Sequence, residues 1–157
     1  MSNLLFLLAV CIGIVAGLRA LTGPAVICWM AHLGFLHLGG TRLAFMASIA
    51  AVILFTAFAL GEIVNDKLPK TPPRTDPPAF GARILMSILG GSALAMASGG
   101  SVPICAVLAI IGAVIGTYGG YFARTGVVKA LHSSDLPIAL LEDLVAIGGA
   151  ILIVWKA

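Results

Sequence analysis

Residues Ile104 to Phe122 read ICAVLAIIGAVIGTYGGYF, and no charged side chain interrupts the run. As an α-helix rising 1.5 Å per residue, it is nearly long enough to cross the roughly 30 Å hydrocarbon core of a bilayer. Working outward, the same pattern recurs. Gly99-Gly100-Ser101-Val102-Pro103 forms a tight turn that separates this run from Ala79–Ala97. Earlier still, Leu43–Val64, Pro24–Leu38 and Leu4–Leu18 are further apolar blocks, and Pro137 opens a last one that ends at Trp155. A soluble core would show apolar stripes, whereas here whole segments are apolar. The reading is an all-α integral membrane protein, a single transmembrane domain over residues 1–157 built as a bundle of six transmembrane helices.

Composition agrees. The chain is 61% hydrophobic and only 10% charged, with a mean hydropathy of +1.14, whereas soluble domains carry about 25% charged residues. The net charge of +3 comes without a basic run, so nucleic-acid binding is not expected. Cys11, Cys28 and Cys105 sit inside apolar segments without CxxC spacing and read as packing residues. His32 and His37 do not share a helix face, so no metal site is expected. Nor does any cofactor motif occur. The N-terminus lacks the basic stretch of a signal peptide and reads as a retained first span.

Two segments complicate the count. Thr22-Gly23-Pro24 breaks the chain after the first span, and Pro24–Leu38 is only about 22 Å long as a helix. It is read as a short second span, with a re-entrant segment as the alternative. Loop 65–78 holds Pro69, Pro72, Pro73, Pro77 and Pro78 of the eight prolines, so it should be a stiff extended cover. A second polar connection covers Arg124 to Asp135. With six spans, one side collects Arg19, Lys67, Lys70, Arg74, Arg83, Arg124 and Lys129, and the other only Arg42 and Lys156. The positive-inside rule then makes loops 65–78 and 124–137 cytoplasmic and puts both termini outside. Six spans divide into three and three, which would be two inverted halves. Ile12-Gly13 through Thr22-Gly23 echoes Ile115-Gly116 through Thr125-Gly126, mostly as shared glycine spacing.

Gly112, Gly116 and Gly120 fall on one helix face, and Gly13 and Gly17 give the first span a shorter version. Such faces let another backbone approach closely, within one subunit or between the copies of a homo-oligomer.

Ionisable groups next to hydrocarbon are costly and face the protein interior or water-filled cavities. Glu62 and Asp66 share a face near the end of the third span, and Lys67 follows them. Glu142 and Asp143 lie less than two turns past Pro137, with Glu142 on the small-residue stripe of Ala139, Ala146 and Gly149. Arg19, Arg83 and Arg124 belong at the same-side ends of three other helices. These eight groups should form one balanced layer of four acids and four bases at the cytoplasmic boundary. It could be a structural network of arginine–carboxylate clamps or a ligand or ion site, with Glu62 and Glu142 sensing protons or cations and Arg19 and Arg124 contacting anions. Arg42, Asp76, Asp135 and Lys156 read as solvated loop charges.

Gly17-Leu18-Arg19, the block Glu62-x-x-x-Asp66-Lys67-x-Pro69 with Arg74 and Arg83, and the final Glu142-Asp143 resemble a family of small bacterial integral membrane proteins, domain of unknown function 4126. The resemblance covers nearly the whole chain and implies a multi-pass protein of the bacterial inner membrane. Its recurrent polar positions fall on Arg19, Glu62, Asp66, Lys67, Pro69, Arg74, Arg83, Glu142 and Asp143. It implies no activity.

Three functions fit these residues. The first is a transporter or permeation protein for a small solute, ion or amphiphile, because a broken helix pair and intramembrane acids are its usual parts. The second is an assembly scaffold of a membrane complex. The third is an enzyme acting on a lipid head group, and no complete catalytic motif supports it. Lys67 and Arg74 have the spacing of a lipid-phosphatase first motif, but Thr75 stands where proline is expected. Arg124, His132 and Asp135 are wrongly spaced for the third motif, and Ser133 and Ser134 have no positioned base. The expected partners are the lipid bilayer, a small solute or lipid, and a second copy of the chain.

Overall fold

A computed structural model of the chain describes residues 2–66, 74–131 and 135–157. Among the described residues six α-helices follow one another: α1 (Ser2–Leu18), α2 (Thr22–His32), α3 (Ile49–Asn65), α4 (Pro77–Ala97), α5 (Val102–Leu131) and α6 (Asp135–Trp155). A short 3-10 turn, Ala44–Ala47, precedes α3. No strand occurs among the described residues. Three stretches, Pro77–Ala97, Val102–Ala130 and Leu136–Trp155, are long and apolar enough to cross a membrane. The apolar helices α1 and α3 have 17 residues each, and α2 only 11.

Local chemistry sets most helix starts. Pro24, Pro77, Pro78, Pro103 and Pro137 all lie in first turns, where the missing amide would have had no helical partner anyway. Ser48 caps α3 by accepting a hydrogen bond from the Ala51 amide at 3.2 Å. Gly99, at φ +66, makes the turn between α4 and α5 with a conformation that side chains other than glycine rarely adopt.

Several boundaries differ from the sequence reading. The block Leu43–Val64 is not one helix, because the Ser48 cap, in extended conformation, separates the 3-10 turn from α3. The segment Pro24–Leu38 is helical only to His32, and hydrogen-bonded turns continue it to Leu36. The connection from Arg124 to Leu131 is not a loop but the last two turns of α5. Thr125 fits there because its hydroxyl donates within the helix to the carbonyls of Tyr121 and Phe122, at 2.8 and 3.2 Å. Loop 65–78 shrinks at both ends, since Asn65 closes α3 and Pro77 opens α4. The proposed stiff cover over 67–73 lies outside the described residues.

Helix α1 occupies the centre, packed against α5, α4, α6 and α2. Its seam with α5 is made of backbone. A Cβ on Gly13 would lie 2.0 Å from the Ala109 carbonyl oxygen, and one on Gly17 would lie 2.4 Å from that of Ala113. From the other side, a Cβ on Gly112 would meet the Val10 oxygen at 2.1 Å, and one on Gly116 the Ile14 oxygen at 2.2 Å. The glycines of both helices therefore face one another within a single chain. The order of these contacts makes α1 and α5 parallel, so the glycine echo between them marks a shared seam.

Small residues fill the interior and large ones cover the outside. Ala9, Ala93, Ala109, Ala113, Ala146 and Ala150 are fully buried, while Leu7, Ile53, Phe122, Leu144 and Leu152 are mostly exposed. That inversion suits lipid, where close backbone approach and not apolar burial drives helix association. Helix α3 is the peripheral member, held by α2 and the 3-10 turn. Trp29 Nε1 donates to Thr56 Oγ1 at 3.0 Å across that contact. At the end opposite the charges, the Ser98 hydroxyl donates to the Ala157 carbonyl at 3.0 Å, and the Phe35 and Trp155 rings lie 5.1 Å apart.

Candidate functional site

The turn Arg19-Ala20-Leu21 between α1 and α2 is the hub. Leu21 offers no side-chain cap to α2. Glu62 of α3 takes that role from a distance, its two oxygens accepting the Ala20 and Leu21 amides at 2.8 and 2.9 Å. An acid at this end also complements the α2 dipole. One turn along the same α3 face, Asp66 accepts from Arg19 Nη1. Two carboxylates thus tie the peripheral helix to the central turn.

Arg19 itself has no exposed surface. Its Nη2 lies 2.5 Å from Asp143 Oδ1 on α6, so one guanidinium bridges the acids of α3 and α6. Its Nε has no acceptor among the described residues. Arg83 of α4 reaches inward as well, donating from Nε to the Gly17 carbonyl and from Nη1 to the Ala79 carbonyl, each at 3.1 Å. Its Nη2 stands 3.8 Å from Glu62, the loosest of these ion pairs. The Thr117 hydroxyl of α5 also donates to Gly17, at 3.3 Å. The Gly17 carbonyl, which no helical amide follows to satisfy, therefore receives donors from two other helices.

Glu142 forms the second centre. Arg74 grips it with both nitrogens, at 2.5 and 3.0 Å, and Arg124 approaches at 3.6 Å. Gly120 makes room for this pair, since a Cβ there would lie 3.0 Å from Arg74 Nη1 and 3.3 Å from Glu142 Oε1. The side chains of all eight groups, Arg74 included, are at most 16% exposed. Four acids balance four bases. Removing one partner of such a pair typically costs about 3–5 kcal/mol, because a buried charge is left uncompensated.

The structure thus brings together seven of the residues singled out by sequence: Arg19, Glu62, Asp66, Arg83, Arg124, Glu142 and Asp143. Lys67 lies outside the described residues. Arg74, a loop charge by sequence and a recurrent position by resemblance alone, is buried and makes the best-formed clamp. The signal for it was its place after the Glu-x-x-x-Asp-Lys-x-Pro block. Arg42 and Lys156 are exposed, as solvated charges should be. No group of three histidine, cysteine or acidic side chains that could hold a metal occurs among the described residues.

Beside this layer lies a cleft of about 490 Å³. Ala57, Phe58, Gly61, Glu62, Asn65 and Asp66 line it from α3, and Pro78, Ala79, Ala82, Arg83 and Met86 from α4, with Arg74 and the Ala20-Leu21 turn at its inner end. It exists because α3 and α4 barely touch. Arg19, Glu142 and Asp143 do not line it; Arg19 and Glu142 pair with Asp66 and Arg74, which do. Its size falls in the range of small-molecule sites, about 300–1,000 Å³, and its lining, mostly apolar with a few convergent polar groups, is typical of them. Comparison with protein families, with curated proteins and with solved structures finds no match to this chain.

Proposed function

We propose that the chain is a multi-pass membrane permeation or transport protein whose ligand enters the α3–α4 cleft and meets the charged layer at its inner end. The observation that carries this reading is the cleft itself, lined by apolar residues on its flanks and by Glu62, Asp66, Arg74 and Arg83 within. Among the described residues, four members of the charged network border this space.

Six crossings suit this reading. Helices α1, α3 and α5 run toward the charged layer and α2, α4 and α6 away from it, so successive helices alternate in direction. With only 11 residues, about 16 Å of helix, α2 is the thin crossing of the six, and hydrogen-bonded turns carry it on to Leu36. Assignment of the charged side to the cytoplasm rests on the lysine and arginine bias. Membership of the bacterial family that the polar block resembles, and an inner-membrane location, belong to the same proposal.

The test uses vesicles containing the purified protein and a fluorophore-labelled single-chain amphiphile, with dithionite added outside to quench the outer leaflet. Movement between leaflets should exceed that in protein-free vesicles and fall at least tenfold in Glu62→Gln, which weakens the link between α3 and the α2 turn. Movement no faster than in protein-free vesicles would reject permeation of this class of ligand. The completeness of the ion pairing favours a scaffold as the second reading. A partner protein that co-purifies reproducibly in mild detergent, together with absent flux, would select it.

A further inference from the structure

The cleft separates charge by wall. Its carboxylates, Glu62 and Asp66, come from α3 and its C-cap, and its guanidiniums, Arg83 and Arg74, come from α4 and the residues leading into it. These four charges cancel. A lone anion attracted by the two arginines would face two carboxylates across the cleft, and a lone cation would face two guanidiniums. A ligand carrying both charges a few ångströms apart meets a complementary group on each side.

The groups keep the capacity to bind it. Each Glu62 oxygen accepts one backbone amide and retains a second lone pair. Arg83 meets Glu62 only at 3.8 Å, so an anionic group can intervene without breaking a tight pair. Arg74 spends one N–H of each terminal nitrogen on Glu142, and a guanidinium has five N–H donors, so it can also donate to a phosphate or carboxylate. Outward from the charges the walls become apolar, with Phe58 about half exposed on α3 and Met86 on α4. This apolar part lies between two helices that barely touch and that both carry exposed apolar side chains.

We propose that the cleft binds a zwitterionic amphiphile: its anionic group against Arg74 and Arg83, its ammonium against Glu62 and Asp66, its hydrocarbon tail leaving between α3 and α4. This rests on the reading of the cleft as a ligand site and names the chemical class it accepts. The ligand is drawn from the bilayer as a phospholipid or from solution as a head-group compound, and the shared feature is the paired phosphate and ammonium.

The experiment is native mass spectrometry of the delipidated full-length protein, titrated with dioleoyl phosphatidylethanolamine, with dioleoyl phosphatidylglycerol and with free phosphoethanolamine. The two lipids share tails and phosphate and differ in the ammonium. Phosphatidylethanolamine should bind at least tenfold more tightly, and Asp66→Asn should bring the two lipids close to parity. Ala82→Trp fills the cleft without touching a charge, so it should weaken phosphatidylethanolamine at least tenfold while the protein melts as wild type. Competition by free phosphoethanolamine would make the head group sufficient and a soluble source adequate; its failure, with the lipid bound, would assign the ligand to the bilayer. Equal binding of both lipids to wild type, or binding indifferent to Ala82→Trp, would overturn the proposal. Selective binding without movement between leaflets would retain this site and reject transport, and movement without selectivity would do the reverse.

Discussion

The α1–α5 seam and the α3–α4 cleft both contain helical glycines, yet one is shut down to the backbone and the other stands open. In the seam, Gly13, Gly17, Gly112 and Gly116 each place a missing Cβ against a carbonyl of the opposite helix. In the cleft, Gly61 has nothing within 4 Å of where its Cβ would be. Glycine content alone therefore does not make a contact in lipid. The α1–α5 contact is closest because glycines stand at matching heights on both partners, so that each ridge of backbone enters the other's groove. Helix α3 has no such counterpart on α4; it packs on α2 and is tied by Glu62 and Asp66 to the turn before α2.

The largest expected effect comes from cutting the residue that joins the two regions. Arg19→Met should lower stability by about 3–5 kcal/mol, since Asp66 and Asp143 would both lose a buried counter-charge. Thermal melting in detergent, followed by circular dichroism, reads this directly, and a loss under about 1 kcal/mol would mean that water already screens the network. Next comes the seam. Gly112→Ala must push α1 away from a backbone oxygen 2.1 Å from the new carbon, at a cost of about 1–3 kcal/mol in the same assay. The smallest effect sharpens the comparison by reversing its sign. Gly61→Ala, inside a helix and facing open space, should stabilise by about 0.5–1 kcal/mol. If both alanine variants destabilised equally, the seam would not be the tighter of the two contacts.

Much of this was legible in the sequence, for reasons that can be named. Charges are too expensive beside hydrocarbon to scatter, so Glu62, Asp66, Glu142 and Asp143 announced a common layer before their partners were known. Spacing placed Gly112, Gly116 and Gly120 on one face, but no rule of spacing says which helix that face meets, or that the meeting is parallel. Arg124 and Lys129 suggested a loop because charge density usually marks one. Helix α5 continued past them because no proline intervenes and Thr125 turns its hydroxyl back on the helix. Ser48, a single capping residue, ended a run that hydropathy alone read as continuous. The pairing of Arg74 with Glu142 could not be read locally, since 68 residues separate them. The cleft was equally hidden, because an absence of packing between two helices leaves no mark on either one.

The burial of Arg19 also has a consequence in time. A ribosome delivers the chain from its N-terminus, and Arg19 arrives long before its partners. Asp66 follows 47 residues later, and Asp143 roughly 120 residues later, on the order of 10 s of synthesis at ~5–20 residues per second. During that interval a cation at the end of α1 must stay hydrated, near the insertion machinery or at the membrane edge. The glycine face of α1 waits almost as long, because α5 is the fifth helix made. The contacts that bury α1 are thus completed only once α5 and α6 have been made.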